Sequence, residues 1–125
     1  MSTPSAFRPM LDALTRVRGV SAALVVSERD GIVVDAILQI GHSGDRVAAL
    51  AASLYRKARL AASAAGMGAT SFMQLEAPRG RICAIGGGEL VLIVVAEPTV
   101  NVGLVRVELL RAADTLLAMG GEAQP

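Results

Sequence analysis

The chain has 125 residues, 53% of them hydrophobic and 2% aromatic, with 12 basic against 11 acidic side chains and a formal charge of +1. That length makes one domain with a core of Ala, Leu, Val and Ile, and near-neutrality with so few aromatic rings excludes a nucleic-acid binder built on phosphate neutralisation or base stacking. One cysteine, Cys83, and one histidine, His42, exclude an intramolecular disulfide, a Cys-rich metal site and most His-based constellations, while no apolar run approaches the ~18 residues of a membrane helix.

In chain order, residues 1–6 read as a disordered lead, residues 7–119 as the folded domain and residues 120–125 as a disordered tail. Apolar side chains at Phe7, Met10, Leu11, Leu14 and Val17 have helical spacing. Pro9 fits only the first turn and Gly19 the C-terminal cap, which predicts a helix over about residues 7–18. Val20–Ser27 and residues 32–38 are short, β-branched and apolar, and the Asp30-Gly31 pair between them predicts a hairpin. Asp35 interrupts the second run, as a charge on an edge strand does to discourage pairing with another sheet.

Residues 41–44 (GHSG) read as a loop, with Ser43 or Asp45 placed to cap a helix over residues 45–65. Gly66-Met67-Gly68 stops that helix. Val47, Ala51, Leu54, Ala58, Ala61 and Ala65 form its expected inward face, yet the other sides also carry small or apolar residues, so the helix wants a second partner. Residues 70–76, residues 81–85 and Leu90–Ala96 predict an antiparallel meander, with Gly86-Gly87-Gly88 as its second turn. Asn101 is a suitable N-cap for a last helix over residues 102–119, with Val105, Leu109, Ala112 and Leu116 inward, Glu108 paired with Arg111, and Gly120-Gly121 as the stop.

The search for chemistry is mostly negative. Lys57 lacks the preceding glycines of a phosphate loop, and Gly86-Gly87-Gly88 lies between strands, away from the helix N-terminus that binds phosphate. His42 reads as a solvated loop histidine and Cys83 as a small core side chain. The carboxylates lie on separate elements, so no enzymatic activity, cofactor or metal is expected. A small-molecule pocket is also disfavoured by the scarcity of aromatic and convergent polar groups. The distinctive features are the small-residue helix and residues 69–75, which hold neither charge nor proline. As an edge strand that segment would invite a second strand, and a two-fold dimer satisfies both features with one patch meeting itself.

The segments LDALTRVRGVSAALVVSERDGIVVDA (residues 11–36), GDRVAALAASLYRKARLAASAAGMG (44–68), QLEAPRGRICAIGGGELVLIVVAEP (74–98) and NVGLVRVELLRAADTL (101–116) resemble, in order and spacing, the Roadblock (dynein light chain) family and its bacterial MglB-type members. The resemblance implies an α+β, profilin-like α-β-β-α-β-β-β-α sandwich. Its five-stranded antiparallel sheet carries the middle helix on one face and the first and last helices on the other. It also implies a homodimer in which the third strands pair edge to edge and the two middle helices lie adjacent. Such dimers regulate a small Ras-like GTPase of the MglA type in cell polarity and motility, activating hydrolysis without donating an arginine finger. The alternative is a non-catalytic dimeric scaffold joining a kinase, motor or filament complex. A cytoplasmic location is expected, with no nucleic acid or membrane as partner.

No family motif fixes the contact residues, which come from the helical wheel. Asp45, Ala49, Ala52, Arg56, Arg59 and Ser63 are expected to meet the GTPase, with the arginines either pairing acidic switch residues or merely solvated. Ala48, Tyr55 and Ala62, with Thr70, Ser71, Phe72, Met73, Gln74 and Leu75, are expected at the dimer interface.

Overall fold

The computed structural model describes residues 6–39 and 44–123, with side chains as far as Met119. Its elements are α1 (Arg8–Thr15), β1 (Val20–Ser27), β2 (Val33–Leu38), α2 (Gly44–Ala64), β3 (Met73–Ala77), β4 (Gly80–Gly87), β5 (Leu90–Ala96) and α3 (Val102–Ala123). This is the expected order. The strands form one antiparallel sheet in the order β2-β1-β5-β4-β3, so β2 and β3 are its edges.

The central strands β1 and β5 are covered on both faces, which is why they read as continuous apolar runs. On one face Ala23, Val25, Leu92, Val94, Cys83 and Ile85 meet Leu11 and Leu14 of α1 and Val105, Leu109 and Leu116 of α3. On the other, Leu24, Val26, Val91, Ile93 and Ala84 meet Ala48, Ala51, Ala52 and Tyr55 of α2. Each fully buried Leu, Val or Ile contributes about 1.5–3 kcal/mol, so the alanine side of the sandwich is held the more weakly of the two.

Local signals place the turns. Gly31 has φ +72°, and the Asp30 carboxylate accepts the Ile32 N–H at 3.1 Å. That bond holds the Asp30 carboxyl below its usual range. Gly66, at φ +73°, ends α2: its N–H reaches the Ser63 carbonyl while the Met67 N–H reaches that of Ala62, which satisfies two of the free carbonyls of the last turn. Asn101 caps α3 by accepting the Leu104 N–H at 3.1 Å, and Arg111 donates to Glu108 at 3.3 Å as expected.

Several boundaries differ from the sequence reading. Helix α1 ends at Thr15, short of residue 18: the Val17 N–H turns to the Leu14 carbonyl, and Gly19 at φ +95° then redirects the chain into β1. Strand β2 starts at Val33, after Ile32 has closed the hairpin. Strand β3 starts at Met73, three residues late, and β4 runs on through Gly86 and Gly87. Both glycines are strand positions because helices press on them. A Cβ on Gly86 would stand 2.5 Å from the Tyr55 hydroxyl, and one on Gly87 would stand 3.0 Å from Leu116 Cδ1. Helix α3 passes Gly120-Gly121 and ends at Ala123; a glycine costs a helix only about 1 kcal/mol. His42 and Ser43 lie outside the described residues.

Candidate protein-interaction surface

Helix α2 buries its small residues and exposes its large ones. Ala48, Ala51, Ala52 and Tyr55 are at most 5% exposed, whereas Leu50, Leu54 and Leu60 are 63%, 42% and 54% exposed. At 100° per residue the sunken face centres between Ala48 and Tyr55. The outward face then carries Leu50, Ser53, Leu54, Lys57, Leu60, Ala61 and Ala64. Alanine brings the helix backbone close to the sheet, and Tyr55 crosses to Gly86 where no side chain blocks it. Burial raises the Tyr55 hydroxyl above its ordinary pKa, with a backbone hydrogen bond at Gly86 opposing.

This phase corrects the sequence reading in both directions. Ala48 and Tyr55, expected at the dimer interface, and Ala52, expected at the partner surface, are core residues of their own chain. Val47, Leu54, Ala58, Ala61 and Ala65, expected inward, are half-buried or exposed; only Ala51 of that set is buried. The flank bearing Ala49, Arg56 and Arg59 is already occupied by the β1–β2 turn. Arg59 binds Glu28 at 2.7 Å, Arg56 Nη1 donates to the Arg29 carbonyl at 3.4 Å, and Gly31 sits so near Ala49 that a Cβ would come within 2.9 Å of its Cα. The two arginines therefore fasten a turn. Asp45 and Ser63 are exposed and Ala62 is half-buried.

Of the exposed leucines, the sequence reading puts Leu60 outward and Leu50 on a flank, and only Leu54 inward. Tyr55 was the usable signal: as the helix's only aromatic side chain it marks the sunken side, and centring there would have turned all three outward together.

The two sheet edges differ. On β2 the Gln39 N–H donates to the Ser21 carbonyl at 3.0 Å, which sets the ladder phase and turns the Ala36 N–H away from β1. Asp35 takes that N–H at 2.8 Å, and Arg8 binds the same carboxylate at 3.1 Å. The register also slips between Val25 and Val26. Strand β2 is thus closed by a charge pair and a bulge, and Asp35 is more than the repelling charge expected of it. Strand β3 has no such guard. Gln74, Leu75 and Glu76 are exposed; Arg81 reaches Glu76 from the neighbouring strand at 3.0 Å. Met73 and Ile82 pack beside the α2 core, half-covered, with Leu75 paired to Ile82. Phe72 turns to the opposite face, under Arg106 at 5.1 Å, while Thr70 and Ser71 precede the strand.

The open edge, the half-covered strip of sheet and the outward leucines are uncovered apolar features of the kind that marks protein interaction. Among the described residues no three His, Cys, Asp or Glu converge as a metal site. A shallow groove between α1 and α3, lined by Pro9, Met10, Ala13 and Thr115, has as its only charges Glu108 and Arg111, which pair with each other. No described helix is long and apolar enough to cross a membrane.

Comparison with known proteins agrees with this architecture. The Roadblock/LC7 domain family matches residues 8–97. The uncharacterized protein MJ0310 of Methanocaldococcus jannaschii is 31% identical over 106 residues, covering 85% of this chain and 92% of its own length. Among solved structures, Myxococcus xanthus MglB superposes with a TM-score of 0.84 at 19% identity, over 97% of this chain and 99% of that one. A Roadblock/LC7 domain from Streptomyces avermitilis gives 0.81 at 22% identity, over 92% and 98%. With the family matching most of its length, the chain is a member of the Roadblock/LC7 family.

Proposed function

We propose that two copies of this chain join through β3 and α2, and that the doubled α2 surface regulates a small Ras-like GTPase of the MglA type in cytoplasmic polarity or motility signalling. The observation that carries the reading is the inverted burial of α2, with alanines inside and leucines outside. A stable monomer gains nothing from that arrangement; a helix covered on both sides needs it. Pairing the open β3 edges continues the sheet across a two-fold axis and brings the second α2 over the half-covered strip of Met73, Leu75 and Ile82. The GTPase partner rests on the resemblance to MglB-type members.

Regulation of this kind needs no catalytic side chain from the regulator. Arg56 and Arg59 are tied to the β1–β2 turn, which suits a partner that donates no arginine finger. Such a regulator binds the hydrolysis-competent arrangement of the GTPase more tightly than the others. It raises that population in proportion to the difference in affinity, and the chemistry stays in the GTPase. The test is single-turnover GTP hydrolysis by a GTPase of this type with saturating regulator. Acceleration that is lost in Lys57→Glu, a change at the centre of the outward face, supports the role. An unchanged rate rejects activation, and binding indifferent to GTP or GDP would favour a scaffold.

A further inference from the structure

Helix α3 leaves an apolar seam bare, on the side of the sheet away from α2. Val105, Leu109, Ala112 and Leu116 are buried, while Val107, Leu110 and Leu117 are exposed. Val107, Leu110, Asp114 and Leu117 follow one another at spacings of three, four and three, which is the contact line of a two-stranded coiled coil. Contacts made through α2 and β3 cannot cover this line, because α3 packs on the other face of the sheet.

The charges along the line say what covers it. Asp114 stands exposed in the seam, with no ion pair among the described residues. An arginine borders the seam on each side: Arg106 lies over the Phe72 ring at 5.1 Å, and Arg111 pairs only with Glu108 of its own helix. A second copy of the chain fits badly. Parallel α3 helices set Asp114 against Asp114, and Arg106 of one against Arg111 of the other; antiparallel ones set Arg111 against Arg111 and Asp114 against Leu110. A lipid surface fits no better, because an interfacial helix keeps its apolar side free of charge, and Asp114 would be drawn into the boundary. We infer that the seam receives an amphipathic helix of a different protein. That helix is apolar at its core positions, basic where it faces Asp114 and acidic where it passes Arg106 and Arg111. Asp114 then acts as a polar group at a coiled-coil core position does, fixing register and partner at some cost in strength. A helix that leaves it unpaired buries a lone charge, and one that brings a lysine does not. The inference goes beyond the reading of α2 and does not rest on it: the two surfaces lie on opposite faces of the sheet, so both can be engaged at once.

Two synthetic peptides of three heptads serve as probes, each with Ile at a, Leu at d and Glu at every e and g, so that neither pairs with itself. One carries Lys at its central a position, to face Asp114 in a parallel pair; the other carries it at the central d position, to face Asp114 in an antiparallel pair. Fluorescence anisotropy with the full chain is expected to show one of them binding with a Kd below about 100 μM. Leu110→Glu and Leu117→Glu each weaken that binding about tenfold or more. Both side chains are exposed, so the fold is kept and the mass by light scattering equals that of the wild type. Asp114→Lys weakens binding about tenfold and transfers the preference to the same peptide with Asp in place of its Lys. Absence of binding by both probes overturns the inference, as does binding indifferent to Asp114→Lys. A fall in mass on Leu110→Glu also overturns it, since the seam is then a contact between copies. Attachment of the wild type but not of Leu110→Glu to phosphatidylglycerol vesicles assigns the seam to lipid and overturns it too.

Discussion

Two glycines separate backbone strain from crowding. Gly31 and Gly88 both have positive φ, +72° and +68°. A Cβ on Gly88 meets nothing within 4 Å, whereas one on Gly31 comes within 2.9 Å of the Ala49 backbone. The left-handed conformation alone costs an L-residue about 1–2 kcal/mol. Gly88→Ala is expected to lose that much in urea denaturation, and Gly31→Ala a further 1 kcal/mol or more, about the low end of overpacking costs, because backbone must move. Burial acts on two other residues through pH. It raises the Cys83 thiol above its ordinary 9.0 and the Tyr55 hydroxyl above 10.0. The folded state therefore holds protons that the unfolded chain has released, and stability falls as pH rises past 9.0 through the raised values. Melting temperatures should be level from neutral pH to 9.0 and decline above it. Cys83→Ala should delay the onset toward 10.0, where Tyr55 takes over.

At the scale of elements, α2 shows what a sequence can and cannot reveal. Strands β1 and β5 were legible to the residue because branched apolar runs have one physical use in a chain this small. The buried stripe of α3 was legible because Val105, Leu109 and Leu116 are large and recur at helical spacing. The phase of α2 was not, since alanine on nearly every side makes all phases score alike, and what decides among them is a distant pair of residues: Gly86 leaving room for Tyr55, and Gly31 lying against Ala49. Neither contact is visible along the chain. Both expected surfaces inherited that error: Ala52 of the partner surface and Ala48 and Tyr55 of the dimer interface proved to be core. Substitution discriminates the two faces. Ala52→Glu puts a carboxylate at a site 1% exposed and should cost about 3 kcal/mol or more in thermal or urea unfolding. Leu50→Glu, at the most exposed leucine of the helix, should change stability by less than about 0.5 kcal/mol and act only on association with partners.

For the whole molecule the question is which edge of the sheet is free to pair. Were both open, copies would add end to end without limit; one closed edge and one open edge stop at two. Asp35 performs the closing. Its carboxylate takes the outward N–H of Ala36 and the Arg8 guanidinium, so a foreign strand finds that donor occupied and a charge pair beside it. Asp35→Ala frees that N–H and removes the charge, and should convert a discrete species into concentration-dependent larger assemblies while leaving the β3 contact intact. The opposite edge should respond the opposite way. Leu54→Glu with Leu75→Glu places carboxylates on the outward side of α2 and on the exposed face of β3, where two copies would bring like charges together in an apolar contact. The expected result is a mass near the single-chain 12.8 kDa with the melt preserved at low concentration, because both leucines are solvent-accessible in the single chain. Light scattering on the two variants side by side decides the assignment. A double-glutamate variant still at twice the chain mass would move the dimer contact away from β3 and α2, and the GTPase-facing surface with it.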